Sequence, residues 1–178
     1  PAVNMTLFHR IQFSVGDSAF FTQLLNGKTI LLVRDIEMDR AKRLARADEI
    51  GCASDFAPEG GLDGDRDTAL AQAGAECLRQ AGVKEVQVDR TLPFLFANEI
   101  QKSGIQLEYD SDFGILERRV KSDEELKHLR EAQKATEGAM EMACSLIARA
   151  PADSGGVLQH DGMPLTSERV RQLISRFV

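Results

Sequence analysis

At 178 residues, 43% of them hydrophobic and 28% charged, the chain can bury about 70% of its unfolded surface and needs neither a disulfide nor a metal to hold a core. Its net charge of −6, its pI near 5.1 and the absence of a basic run exclude the electrostatic footprint of a nucleic-acid binder. Apolar runs such as Thr29 to Val33 fall far short of a membrane span, and no charged-then-apolar secretory pattern opens the chain. A cytoplasmic globular protein is expected, with no nucleic-acid and no membrane partner.

Asn4 to Phe13 alternates only loosely between apolar and polar residues. The runs AFFTQLL and TILLVRD then flank Asn26-Gly27-Lys28, and Asn-Gly between β-rich runs predicts a hairpin. Asp35 is placed to cap a helix through Ile36, Arg40 or Ala41, Leu44 and Asp48, ending before Gly51, with an edge strand over Cys52 to Phe56. A glycine-rich acidic loop, Pro58 to Asp67, leads into a helix through Leu70, Cys77, Leu78 and Ala81 that Gly82 stops. Strand Val83 to Asp89, helix Leu92 to Ser103 with Pro93 in its first turn, and strand Ile105 to Tyr109 follow.

The succession predicts an α/β fold, a mixed β-sheet flanked by helices. Asp110 to Gly114 turns into the longest periodic segment. Ser122 followed by Glu125 has the spacing of a capping box, and Leu126, Leu129, Thr136, Ala139, Met140, Ala143, Leu146 and Ile147 recur at intervals of three and four up to Arg149 and Pro151. A long amphipathic helix is expected, with Ala139, Ala143 or Ile147 left uncovered. Thr166 caps a last helix whose stripe, Val170, Leu173, Ile174 and Phe177, is cut off by the end of the chain. That truncated stripe, and Pro1 in place of Met, suggest a fragment.

Candidate sites are sparse. Cys52, Cys77 and Cys144 are widely spaced, form no CxxC pair and lie in apolar periodic segments, so they read as buried free thiols. His128 has Glu124 and Glu131 on adjoining turns; without ligands from a second element the group reads as a solvated face rather than a metal site. His160 and Asp161 could form a base and its orienting carboxylate, but adjacent side chains seldom point the same way, and a polar turn is the expectation. In GGLDGDRD, Asp63, Asp65 and Asp67 would repel a phosphate. The loop also departs from a calcium loop at Thr68 and Gly74, so its aspartates are assigned to the start of the following helix. Phe20, Phe21, Phe94 and Phe96 read as core, and the clusters Arg34 to Glu37 and Glu117 to Arg119 as caps and ion pairs. No catalytic, cofactor-binding or metal-ligating residue is assigned.

ERRVKSDEELKHLREA, Glu117 to Ala132, resembles the interdomain junction of the creatinase, prolidase and aminopeptidase P family, through Arg118, Lys121, Ser122, Glu125, Leu129, Arg130 and Ala132. AFFTQLLNGKTILLVRDIEMDRAKR is similar to the central hairpin of the creatinase N-terminal domain, and GMPLTSERV to the start of the second pita-bread helix. The segment Asn4 to Phe13 departs from the family pattern Asn, Tyr-Leu-Thr-Gly-Phe, and the usual preceding helix and strand are not evident, so the sheet is expected to lack a strand. The resemblance implies a creatinase-like N-terminal domain over residues 1–116, then a linker and the first helices of a truncated pita-bread catalytic domain over 117–178.

It further implies a non-catalytic region of a metal-dependent Xaa-Pro dipeptidase or aminopeptidase that shapes the active-site mouth and a homodimer contact. Its implied partners are its own catalytic domain and a proline-containing peptide substrate. Two divalent metals would be held by two Asp, one His and two Glu beyond Val178, and no cofactor by these residues. A metal-free binding module and a creatinase-like C–N hydrolase are the alternatives.

Overall fold

A computed structural model of the chain describes residues 4–178; Pro1, the residue that marked a possible boundary, lies outside them. The chain divides into two compact units, Pro1–Val120 and Lys121–Val178.

The first unit opens on helix α1 (Met5–Ile11). Its loosely alternating sequence is helical because the Asn4 carboxamide oxygen accepts the backbone N–H groups of Thr6 and Leu7, each at 3.0 Å, satisfying two donors that the helix cannot pair internally. Strands β1 (Phe20–Gln23) and β2 (Thr29–Leu32) form the expected antiparallel hairpin, Phe20 opposite Leu32 and Gln23 opposite Thr29. Gly27 takes φ +87° in the connection, where its lack of a Cβ makes the turn inexpensive.

Beyond the hairpin the boundaries differ from the expectation. A single 3-10 turn, Asp35–Glu37, precedes helix α2 (Met38–Leu44), which ends before Asp48, and strand β3 is Glu49–Gly51. Tertiary hydrogen bonds explain the shift: Arg46 N–H donates to the Ile11 carbonyl at 2.7 Å. The Asp48 carboxylate accepts from the Thr29 backbone at 2.8 Å and from its hydroxyl at 2.7 Å. These bonds draw the chain out of helical geometry and set β3 parallel to β2, with Leu31 opposite Ile50. Cys52 to Phe56 is correspondingly not a strand. Asp55 accepts the Cys52 N–H at 2.8 Å, and Ala53–Phe56 closes as a 3-10 turn.

Helix α3 (Arg66–Gln80), strand β4 (Glu85–Val88), helix α4 (Phe94–Lys102) and strand β5 (Gln106–Tyr109) follow as expected. The strands lie in two ladders: a mixed sheet in the order β1-β2-β3, and a separate parallel pair, β4-β5. A short helix the sequence did not announce, α5 (Ile115–Arg119), closes the unit.

Strand β2 organises both cores. Ile30 and Leu32 face a cluster with Phe20, Leu70, Cys77, Leu78, Phe96 and Ile100, while Leu31 and Val33 face Ile11, Phe13 and Ala41. A strand buried on both faces reads as a continuous apolar run, as TILLV does. Gly74 lets α3 close on β1: a Cβ there would stand 2.7 Å from the Phe20 ring, which stacks on Phe96 at a centroid distance of 6.3 Å.

In the second unit, helix α6 (Asp123–Arg149) starts at the capping box: Glu125 N–H donates to Ser122 Oγ at 3.2 Å and Ser122 N–H to Glu125 Oε2 at 2.8 Å. Strands β6 (Gln159–His160) and β7 (Met163–Pro164) form a two-residue hairpin through Asp161 and Gly162, at φ +50° and +70°, the sign pattern of a type I′ turn. Helix α7 (Ser167–Phe177), capped by Thr166, packs on α6. The Phe177 ring comes within 3.1 Å of where a Gly138 Cβ would stand. Of the three residues of which one was expected to stay uncovered, Ala139 and Ala143 are buried and Ile147 is exposed, as are Leu129 and Met140; the α7 stripe meets a partner in its own chain.

Candidate functional site

The acidic loop of the first unit serves the helix that follows it. Asp65 caps α3, accepting from the Thr68 backbone at 2.9 Å and its hydroxyl at 2.7 Å, and these bonds hold its carboxyl below the usual range. Asp63 accepts the Asp65 N–H at 2.7 Å, and Asp67 lies in the first turn of α3. The acidic loop is a helix entrance, as expected.

The two charge clusters resolve into ion pairs. Arg34 meets Asp17 at 2.5 Å, Glu37 meets Arg40 at 2.8 Å and Glu117 meets Arg10 at 2.6 Å. Arg40 also lies over the Phe13 ring, 4.5 Å from its centroid. Glu76, the buried charged residue of α3, accepts from Arg79 at 2.6 Å and from Gln80 at 2.9 Å. Those hydrogen bonds lower its pKa to about 2.

The cysteines divide. All three are free, but only Cys77 is fully buried; Cys52 is partly buried and Cys144 exposed. Burial raises the Cys77 thiol to about 11, leaving it protonated and unreactive. Cys144 points outward because the Ala139 and Ala143 side of α6, not its own, is the one that is covered. Phe94 departs likewise: it is 82% exposed, while Phe20 and Phe96 are core. Proline at the N-cap places Phe94 at the first position of α4, two residues before Phe96 and so on the opposite side of the helix from the face that Phe96 and Ile100 bury.

In the second unit His128, Glu124 and Glu131 are all exposed on α6. Among the described residues no group of three or more His, Cys, Asp or Glu lies close enough to hold a metal ion, so the donor set of a two-metal centre does not fit these residues. His160 and Asp161 do come together: Nε2 and Oδ2 are 3.2 Å apart. Asp161 takes φ +50° in the turn where the two adjacent side chains meet. The pair therefore belongs to the expected polar turn and is also a dyad. Arg169 Nη2 approaches the same carboxylate at 3.9 Å.

The dyad lines an open groove with Met142, Leu146, Arg149 and Leu173. Ser145 lines it too, yet among the described residues no hydrogen bond joins its hydroxyl to His160, so a nucleophile–base pair is not assembled. Sequence reasoning missed Asp153, which ties the preceding loop by accepting from Gly155 N–H at 2.8 Å, Val157 N–H at 3.0 Å and Gln159 Nε2 at 2.8 Å. Asp-Ser-Gly-Gly is an Asx-turn signal that could have found it.

No family profile and no curated protein matches the chain. Solved structures do. The chain is similar to an Xaa-Pro dipeptidase from Bacillus anthracis, at 15% identity with a TM-score of 0.67 over 98% of this chain and 43% of that one. It is similar to the prolidase from Pyrococcus horikoshii OT3, at 16% identity and a TM-score of 0.61 over 98% of this chain and 42% of that one. It is also similar to the prolidase from Pyrococcus furiosus, at 13% identity and a TM-score of 0.58 over 96% and 42%. The fold is that of the prolidase N-terminal region. The likeness runs through both units of this chain, from the capped α1 to α7, and the chain spans less than half the length of each structure it matches. The junction motif also takes on a physical meaning: Ser122 and Glu125 are the two halves of the α6 capping box, whereas Leu129, Arg130 and Ala132 lie exposed beyond it.

Proposed function

We propose that this chain is the non-catalytic N-terminal region of a metal-dependent Xaa-Pro dipeptidase or aminopeptidase-like hydrolase. The observation that carries the reading is the structural likeness over 98% of the chain to an Xaa-Pro dipeptidase of which it spans 43%. In this reading the first unit shapes the mouth of the active site and contributes a homodimer contact. The second unit opens a catalytic domain whose remaining residues hold two divalent metals and receive a proline-containing peptide. Free thiols at Cys52, Cys77 and Cys144 suit a reducing, cytoplasmic setting, and among the described residues no helix is long and apolar enough to cross a membrane.

The test is hydrolysis of Xaa-Pro dipeptides with added divalent metal, by these 178 residues and by the product of the open reading frame that encodes them. Turnover by the longer product alone is the expected result. Metal-dependent turnover by the 178 residues, or a reading frame that supplies no metal ligands, would overturn it. Light scattering on the longer product tests the dimer contact separately, and a monomer removes that part.

A further inference from the structure

We draw no further inference here: the strongest candidate, the open groove of the second unit between the C-terminal half of α6, the β6–β7 hairpin and α7, is an uncovered face whose occupant nothing in the structure shows.

Discussion

Strand β2 and helix α6 are the most strongly patterned elements of their units, and they are held in opposite ways. Leu31 and Leu32 are both fully buried, on opposite faces of a sheet covered by α1 and α2 on one side and α3 on the other. Helix α6 runs for 27 residues and buries only Ala139 and Ala143 among them. Full burial of a leucine is worth about 1.5–3 kcal/mol, whereas each alanine methyl supplies about 0.8 kcal/mol. The first unit is thus a tertiary structure held by its core. The second is held more by local terms: a capping box, an Asx-tied loop, a type I′ turn and helix propensity.

Core truncation should break the comparison most forcefully. Leu31→Ala or Leu32→Ala is expected to destabilise the first unit by about 2–5 kcal/mol in urea unfolding. Leu129→Ala on α6, where the side chain is 51% exposed, is expected to cost less than about 0.5 kcal/mol. Comparable losses from the two would mean that α6 is covered in solution.

Next in size is Gly74→Ala. The added methyl would meet the Phe20 ring at 2.7 Å, and that ring is pinned against Phe96, so overpacking by about 1–3 kcal/mol is expected. Gly60→Ala, where a Cβ meets nothing within 4 Å, is the matched control and should be close to neutral. A Gly74→Ala protein as stable as the parent would show that α3 and β1 can separate without loss.

The same contrast explains what could be read in advance. Elements whose signals are local were legible: the Asn26-Gly27 hairpin, the Thr166 cap and the Ser122–Glu125 box stand where their spacing put them, although Asp35, read as a cap, makes no side-chain cap bond. Elements decided by distant partners were not. Residues 45–48 have helical spacing, and the bonds to the Ile11 carbonyl and to the Thr29 backbone and hydroxyl take them out of it. Helix α1 was hidden because its cap, Asn4, sits at the very start of an ambiguous pattern. The His160–Asp161 contact lies in a turn with a positive φ at a non-glycine residue, which composition does not announce. Phe94 and Cys144 were misread for one reason: periodicity shows that a face is apolar, not whether a neighbour covers it.

Acid should act on the first unit through Glu76. Its pKa is depressed from 4.5 to about 2 by the Arg79 and Gln80 hydrogen bonds, so the native state favours the carboxylate. That contribution is fully present above pH 4.5 and is lost as the pH falls toward 2. Glu76→Gln should flatten the pH dependence of the unfolding midpoint across that interval. An unchanged slope would assign the acid sensitivity to other carboxylates, such as Asp48, which the Thr29 hydroxyl and N–H also hold low.

The smallest expected effect is the most discriminating, because it compares one motif in two settings. Asp65 and Ser122 are both N-caps accepting a backbone N–H from three residues on. Ser122→Ala should cost about 1 kcal/mol of local helix stability. Asp65 caps a helix whose Leu70, Cys77 and Leu78 are core; when that cap is lost the cost is shared by the whole first unit, and its unfolding midpoint should fall in Asp65→Ala. Ser122 caps a helix with little buried behind its first turns, so the cost should stay where it arises. Hydrogen exchange should then quicken across the start of α6 while β2 amides keep their protection. Slower exchange at α6 than at β2 in the unsubstituted protein, or a fall in β2 protection on Ser122→Ala, would reverse the assignment of which unit is held by its core and which by its local signals.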